Sequence, residues 1–106
     1  MAIAIDQNLQ PLILAMPRQF DIQSVPAVKE RFEAALADST QPVILEFTQV
    51  AFIDSSGIGA VIFLFKRLKG QQRSIQIADV SGQPRRILTM LKVDRAIEFI
   101  GVGASV

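Results

Sequence analysis

The sequence predicts an α/β domain, with a mixed, mostly parallel central sheet of four to five strands and three or four helices packed against it. Short apolar runs such as residues 43–47 and 74–78 alternate along the chain with longer stretches of helical apolar spacing. Half of the 106 residues are hydrophobic, enough to bury one core at this length and too many for a disordered chain. No Pro/Gly/Ser-rich linker, low-complexity tract or long charge run divides the sequence, so residues 1–106 read as one domain.

Each element follows from local chemistry. Residues 2–5 alternate small and apolar side chains, Asp6, Gln7 and Asn8 supply turn chemistry, and residues 9–16 are mostly apolar. This is the pattern of a strand, a tight turn and a second strand, and that leading pair makes the sheet mixed. Over residues 24–38, Val25, Val28, Phe32 and Leu36 recur at helical spacing while Lys29, Glu30, Arg31 and Glu33 fill most of the other face. Ser24 or Asp21 can cap this helix, and Pro26 is tolerated in its first turn. Residues 43–47 follow Pro42 as a buried strand. A second helix over residues 57–69 is ended by Gly70, with Ile58, Val61, Ile62, Leu64, Phe65 and Leu68 on one broad face. Phe63 falls almost opposite, beside Gly59, Lys66 and Arg67, and an aromatic there would suit a partner's anchor point. Residues 74–78 form another strand, with Ile75 and Ile77 in alternation. Residues 81–91 form a third helix with Pro84 in its first turn and Ile87, Leu88 and Leu91 inward, and residues 97–102 make a last short strand. Right-handed crossovers then join largely parallel strands.

Composition removes whole classes of function. With no Cys there is no disulfide, thiolate nucleophile or Cys–metal cluster, and with no His the commonest general base and metal ligand are missing. The balance of 11 Lys+Arg against 10 Asp+Glu gives a net charge of +1, without the basic footprint that nucleic acid demands. The longest apolar run, residues 57–65, is about half the roughly 20 residues needed to span a bilayer. Residues 1–10 contain Asp6 and no Lys or Arg, so they lack the charged start of a signal peptide. The expectation is a soluble, cytoplasmic protein without direct membrane insertion. No phosphate-binding loop of P-loop type is present, and no cofactor or metal site is expected.

One segment carries chemistry. In such sheets function gathers beyond the carboxyl ends of the strands, which points to residues 48–57. Ala51-Phe52-Ile53-Asp54-Ser55-Ser56-Gly57-Ile58-Gly59 puts two hydroxyls between a carboxylate and a glycine where a helix begins. A helix start offers unsatisfied N–H groups and partial positive charge, so a phosphate there is accommodated. Three chemistries compete. Asp54 or one Ser could cap the helix while Gly57 eases the turn, and Ser56 suits a cap better than a modified residue. A nucleophilic Ser55 or Ser56 lacks His and the Gly-x-Ser-x-Gly elbow, leaving only a Ser–Lys pair with Lys66, Lys69 or Lys92 that nothing marks as buried. The third chemistry is a phosphoacceptor hydroxyl acting as a charge switch.

The stretch Phe52-Ile53-Asp54-Ser55-Ser56-Gly57-Ile58-Gly59 resembles the signature of the STAS family, the bacterial anti-sigma factor antagonists. The likeness covers nearly the whole chain, including the leading strands and the Phe20-Asp21 entry to the first helix, and implies a single STAS-like domain. It implies that the residue after the Asp, Ser55, is phosphorylated by a partner serine kinase using its own ATP, and that a separate serine phosphatase resets it. It implies a partner-facing set of Asp21, Asp54, Ser56, Gly57 and Gly59, joined by Phe63 on the helix argument. The protein would then be no enzyme but a ligand of an anti-sigma factor, as a monomer or weak homodimer. Two other roles stay open on the same resemblance: an accessory subunit of a lipid-trafficking ABC transporter, and a switch output protein that does not act on a sigma factor. Two departures stand out. Arg18-Gln19-Phe20-Asp21 replaces a Gly-Glu-Leu-Asp-like stretch at the rim, and the Gly-rich residues 101–106 replace a further helix.

Overall fold

Short apolar stretches become strands and amphipathic stretches become helices over residues 10–101, which the computed structural model describes. In chain order these are β1 (Leu12–Ala15), β2 (Gln19–Phe20), α1 (Val25–Asp38), β3 (Val43–Glu46), β4 (Phe52–Ile53), α2 (Ser55–Gly70), β5 (Ile75–Ala78), α3 (Gly82–Met90) and β6 (Glu98–Ile100). A single 3-10 turn, Val93–Arg95, precedes β6.

β1, β3, β5 and β6 lie side by side in that order and are parallel throughout, with Leu12 opposite Val43, Val43 opposite Ile75 and Gln76 opposite Glu98. Each crossover steps one strand in the same direction. Right-handed connections therefore place all three helices on one face. The helix-facing core is built from Val28, Phe32 and Leu36 of α1, Val61, Leu64 and Leu68 of α2, Leu88 of α3, and Val43, Leu45, Ile75 and Ile77 of the sheet. The opposite face carries the row Ile13, Ile44, Gln76 and Glu98, in which Gln76 Nε2 donates to Glu98 Oε1 at 2.8 Å. The expected four-to-five-stranded sheet with three helices is thus present with four main strands. The antiparallel strand expected at residues 2–5 lies outside the described residues.

Several local expectations are corrected. A separate parallel ribbon, β2 with β4, pairs Gln19 with Phe52 and Phe20 with Ile53 where the sequence suggested only loop. Two-residue strands are too short to show a period. α2 starts at Ser55 rather than at residue 57. Its buried stripe is Gly57, Ala60, Val61, Leu64 and Leu68, and Ile58, Ile62 and Phe65 pack against the same core, half-buried along one flank, as the broad apolar face predicts. Leu91 points outward, 56% exposed, because α3 ends at Met90 and the chain reverses through Lys92 at φ 62° before the helical period can place Leu91 inside.

The two ends of the layer are tied differently. At the amino ends of the strands, Arg73 Nε donates to Gln41 O at 2.8 Å and Nη1 to Ala35 O at 3.2 Å, so one guanidinium gathers the last turn of α1 and the loop after it. Gln71 Nε2 adds a bond to Leu36 O at 3.2 Å. Burial lowers the Arg73 pKa from its ordinary value, and its Nη2 is buried without a hydrogen-bond partner among the described residues. At the carboxyl ends the ties come from carboxylates and an amide. No helix among the described residues is long and apolar enough to cross a membrane.

Candidate functional site

Two loops meet beyond the carboxyl end of the sheet. One runs from β2 into α1, the other from β4 into α2, and the β2–β4 ribbon welds them together. Asp54 N–H donates to Phe20 O at 3.2 Å, and Ala51 N–H to Arg18 O at 2.8 Å.

Asp54 is the hub. Its Oδ1 accepts the N–H groups of Ser56 at 2.9 Å and Gly57 at 3.1 Å, capping α2. Its Oδ2 accepts the Ile22 N–H at 3.2 Å, 32 residues away in sequence. A carboxylate in this position satisfies orphan amides and meets the positive end of the helix. The capping question left open by the sequence is thereby answered: the cap is Asp54. The suggestion that Ser56 caps is corrected, since Ser56 gives its N–H to Asp54 and begins the helix proper.

Asp21 closes the facing loop. Its Oδ1 accepts the N–H groups of Gln23 at 3.1 Å and Ser24 at 3.2 Å, while Ser24 Oγ accepts the Asp21 N–H at 3.1 Å. Ser24 sits at the N-cap position of α1 but makes no side-chain bond to the helix, and Pro26 lies in the first turn as expected. Ile22, between Asp21 and Gln23, is 69% exposed. The structure therefore joins Asp21 and Asp54 through the Ile22 backbone.

Gly57 has a reason different from easing a turn. A Cβ there would run into the Phe20 carbonyl oxygen and come within 2.7 Å of Ile53 Cγ1. It is buried, and only hydrogen fits between α2 and the ribbon. Gly59 is exposed, and a Cβ there would meet nothing within 4 Å. Ser55 is the first residue of α2 and is exposed. With Gly59 and Lys66 it lies along the solvent stripe of the helix.

Phe63 does not stand with these residues. It is half-buried on the flank facing α1, with Lys29 Nζ 5.0 Å and Arg67 Cζ 5.4 Å from its ring centroid. It lies two helical turns from Ser55, about 12 Å along the axis. The expectation that it projects opposite the core is corrected: α1 packs beside α2, so a position away from the sheet is still covered.

Sequence reasoning missed three contributors. Ile22 and Phe52, 69% and 41% exposed, give the rim an apolar character. Gln83, in the first turn of α3, bonds both backbone groups of Ile53, accepting its N–H and donating to its carbonyl, each at 2.9 Å.

A parallel sheet with helices on one face, and an exposed serine opening a helix that an aspartate caps, define a small α/β domain with a hydroxyl-bearing residue exposed at a helix start. The chain belongs to the STAS domain family, whose profile matches residues 2–104. It is 22% identical over 102 residues to the anti-sigma-B factor antagonist of Bacillus subtilis (strain 168), covering 96% of this chain and 90% of that protein. The fold matches an anti-sigma-factor antagonist (STAS) domain protein from Planctomyces limnophilus at TM-score 0.77 and 20% identity, over 85% of this chain and 81% of that one. It also matches the Bacillus cell-fate determinant SpoIIAA in its phosphorylated form, at TM-score 0.66 and 18% identity over 82% and 79% of the two chains. The unphosphorylated form matches at TM-score 0.61 and 19% identity, over 78% and 86%, so both states of that protein share this fold.

Proposed function

We propose that this protein is an anti-sigma factor antagonist in a partner-switching pathway, binding an anti-sigma factor with serine kinase activity while Ser55 is unmodified and released once Ser55 is phosphorylated. The observation that carries the reading is the exposed Ser55 hydroxyl on the first residue of α2, beside an aspartate already committed to capping. The relatives named anti-sigma-B factor antagonist support the partner class.

The physics favours a local switch. A phosphate adds roughly −1.5 to −2 charges. Set against the net charge of +1, it turns the molecule slightly acidic, with the change concentrated beside Asp54. Two unit charges about 4 Å apart interact by about 1 kcal/mol in water and about 4 kcal/mol near a protein surface. An interface closing over the site would also have to desolvate the phosphate. Either effect changes affinity by about tenfold or more. The helix has no reason to unfold, because its N-terminus favours an anion. On this reading the protein is substrate and ligand, with no catalytic residue of its own, and ATP is consumed by the kinase.

Intact mass and site mapping of the protein from its own host, with Ser55→Ala as control, test the proposal. One phosphate on Ser55 that vanishes in the control is the expected result. A Ser55 that stays unmodified under every growth condition would overturn it.

A further inference from the structure

A two-residue strand has two edges, and among the described residues only one edge of β4 pairs with another strand. Toward β2, the Phe52 and Asp54 N–H groups on either side of Ile53 donate to Arg18 O and Phe20 O. The Ile53 N–H and C=O point the other way, as alternation along a strand requires. Among the described residues no strand lies there. Gln83 fills the place: Oε1 accepts the Ile53 N–H and Nε2 donates to the Ile53 carbonyl, each at 2.9 Å. The pairing is reciprocal, so the amide has one orientation only, since a flip would set donor against donor.

We propose that Gln83 is a positioning residue for the phosphoacceptor segment, a one-residue substitute for a neighbouring strand that fixes the Ile53 backbone and, through it, Asp54 and Ser55. The proposal rests on the reading of Ser55 as the acceptor. Ile53 is immobilised from two other directions as well: its side chain is fully buried, and Gly57 packs against its Cγ1. The next residue is Asp54, whose two oxygens hold the start of α2 and the Ile22 amide. A displacement of Ile53 therefore moves the cap, and with the cap the first turn that carries Ser55. Gln83 is itself set by the sharp start of α3. Gly82 takes φ +63°, a left-handed conformation that a side chain would disfavour. The arrangement makes the start of α3 part of the acceptor site, 28 residues beyond Ser55 in the chain.

The test compares wild type with Gln83→Met, which keeps size and loses both bonds, and Gln83→Glu, which keeps the acceptor for the Ile53 N–H. Amide hydrogen exchange by NMR is expected to show Ile53 exchanging about tenfold faster in Gln83→Met and less so in Gln83→Glu. Resonances of Ser55, Ser56 and Gly57 should shift in the same order while those of β1, β3 and β5 stay put. A second readout uses phosphoserine installed at position 55 during translation, so no kinase is needed. The pH midpoint of its phosphorus resonance, normally near 6, is expected to move in Gln83→Met, which a role confined to overall stability would not produce. If Ile53 exchange and the phosphorus midpoint are unchanged in both variants, the proposal is overturned. An unmodified Ser55 in the host would sink the switch and leave these measurements standing, so the two failures are distinguishable.

Discussion

The two ends of the helix layer solve opposite problems with opposite chemistry. At the carboxyl end of the sheet the helices begin, and their first N–H groups lack partners; the side chains that answer are acceptors, with Asp54 capping α2 and Asp21 holding the Gln23 and Ser24 amides of the turn just before α1. At the amino end the helices finish, and their last carbonyls lack partners; there the answering side chains are donors, Arg73 and Gln71 on the last turn of α1. The sign of each anchor follows from topology, because parallel strands joined by right-handed crossovers send every helix the same way. The ends differ in what remains free. Arg73 is drawn in far enough for burial to lower its pKa, whereas Ser55 stands exposed beside its anchor. One end draws its anchoring side chain inward and the other displays a hydroxyl.

That contrast can be broken at chosen points. Gly57→Ala should have the largest effect, about 3 kcal/mol, because the new Cβ meets backbone at Phe20 and cannot be turned aside. Urea denaturation measures it, and a loss under 1 kcal/mol would show that α2 simply slides. Arg73→Met should cost about 2 kcal/mol, since it strands the Ala35 and Gln41 carbonyls while relieving a desolvated charge. Its NMR shifts should stay at the amino end and leave residues 52–58 untouched. Asp54→Ala should cost about 1.5 kcal/mol, the loss of a cap together with the tie to Ile22, and Asp54→Asn about half as much. Here exchange of the Ser56 and Gly57 amides should quicken while β5 stays protected. The smallest change belongs to Glu33→Gln, which breaks one exposed ion pair and leaves Arg67 over the Phe63 ring. Its ion pair with Arg67, at 3.5 Å, joins side chains 55% and 46% exposed, so thermal melts should move by the equivalent of about 0.5 kcal/mol or less.

Much of the frame is legible in the sequence, because burial repeats with the period of each element. Val28, Phe32 and Leu36 announce the inner side of α1, and Ile75 and Ile77 that of β5, and all five are buried. The Asp54-Ser55-Ser56-Gly57 run likewise marks a helix start, which the structure places two residues earlier than apolar spacing suggests. What stays hidden depends on neighbours distant in the chain. Phe63 looks exposed on a single-helix wheel, because a wheel knows nothing of α1 lying alongside. Asp21 and Asp54 are both visible as cap candidates, yet the Ile22 amide that links them is a backbone group with no residue signature. Gln83 is an ordinary surface type until its distance to Ile53 is known.

The strand order has a consequence for how the molecule is made. Because the sheet is laid down as β1, β3, β5 and β6, the order in which they are synthesised, each strand leaving a ribosome finds its neighbour already in place. Among the described strands, growth proceeds along one edge, with none inserted between earlier ones. The exception is β4: it can pair with β2 as soon as it emerges, but its other edge waits for Gln83, 30 residues later. During that interval Ser55 already exists chemically, while the backbone that presents it is latched on one side only. Completion of α3 thus divides the nascent chain's lifetime into a period before the hydroxyl has its final address and one after.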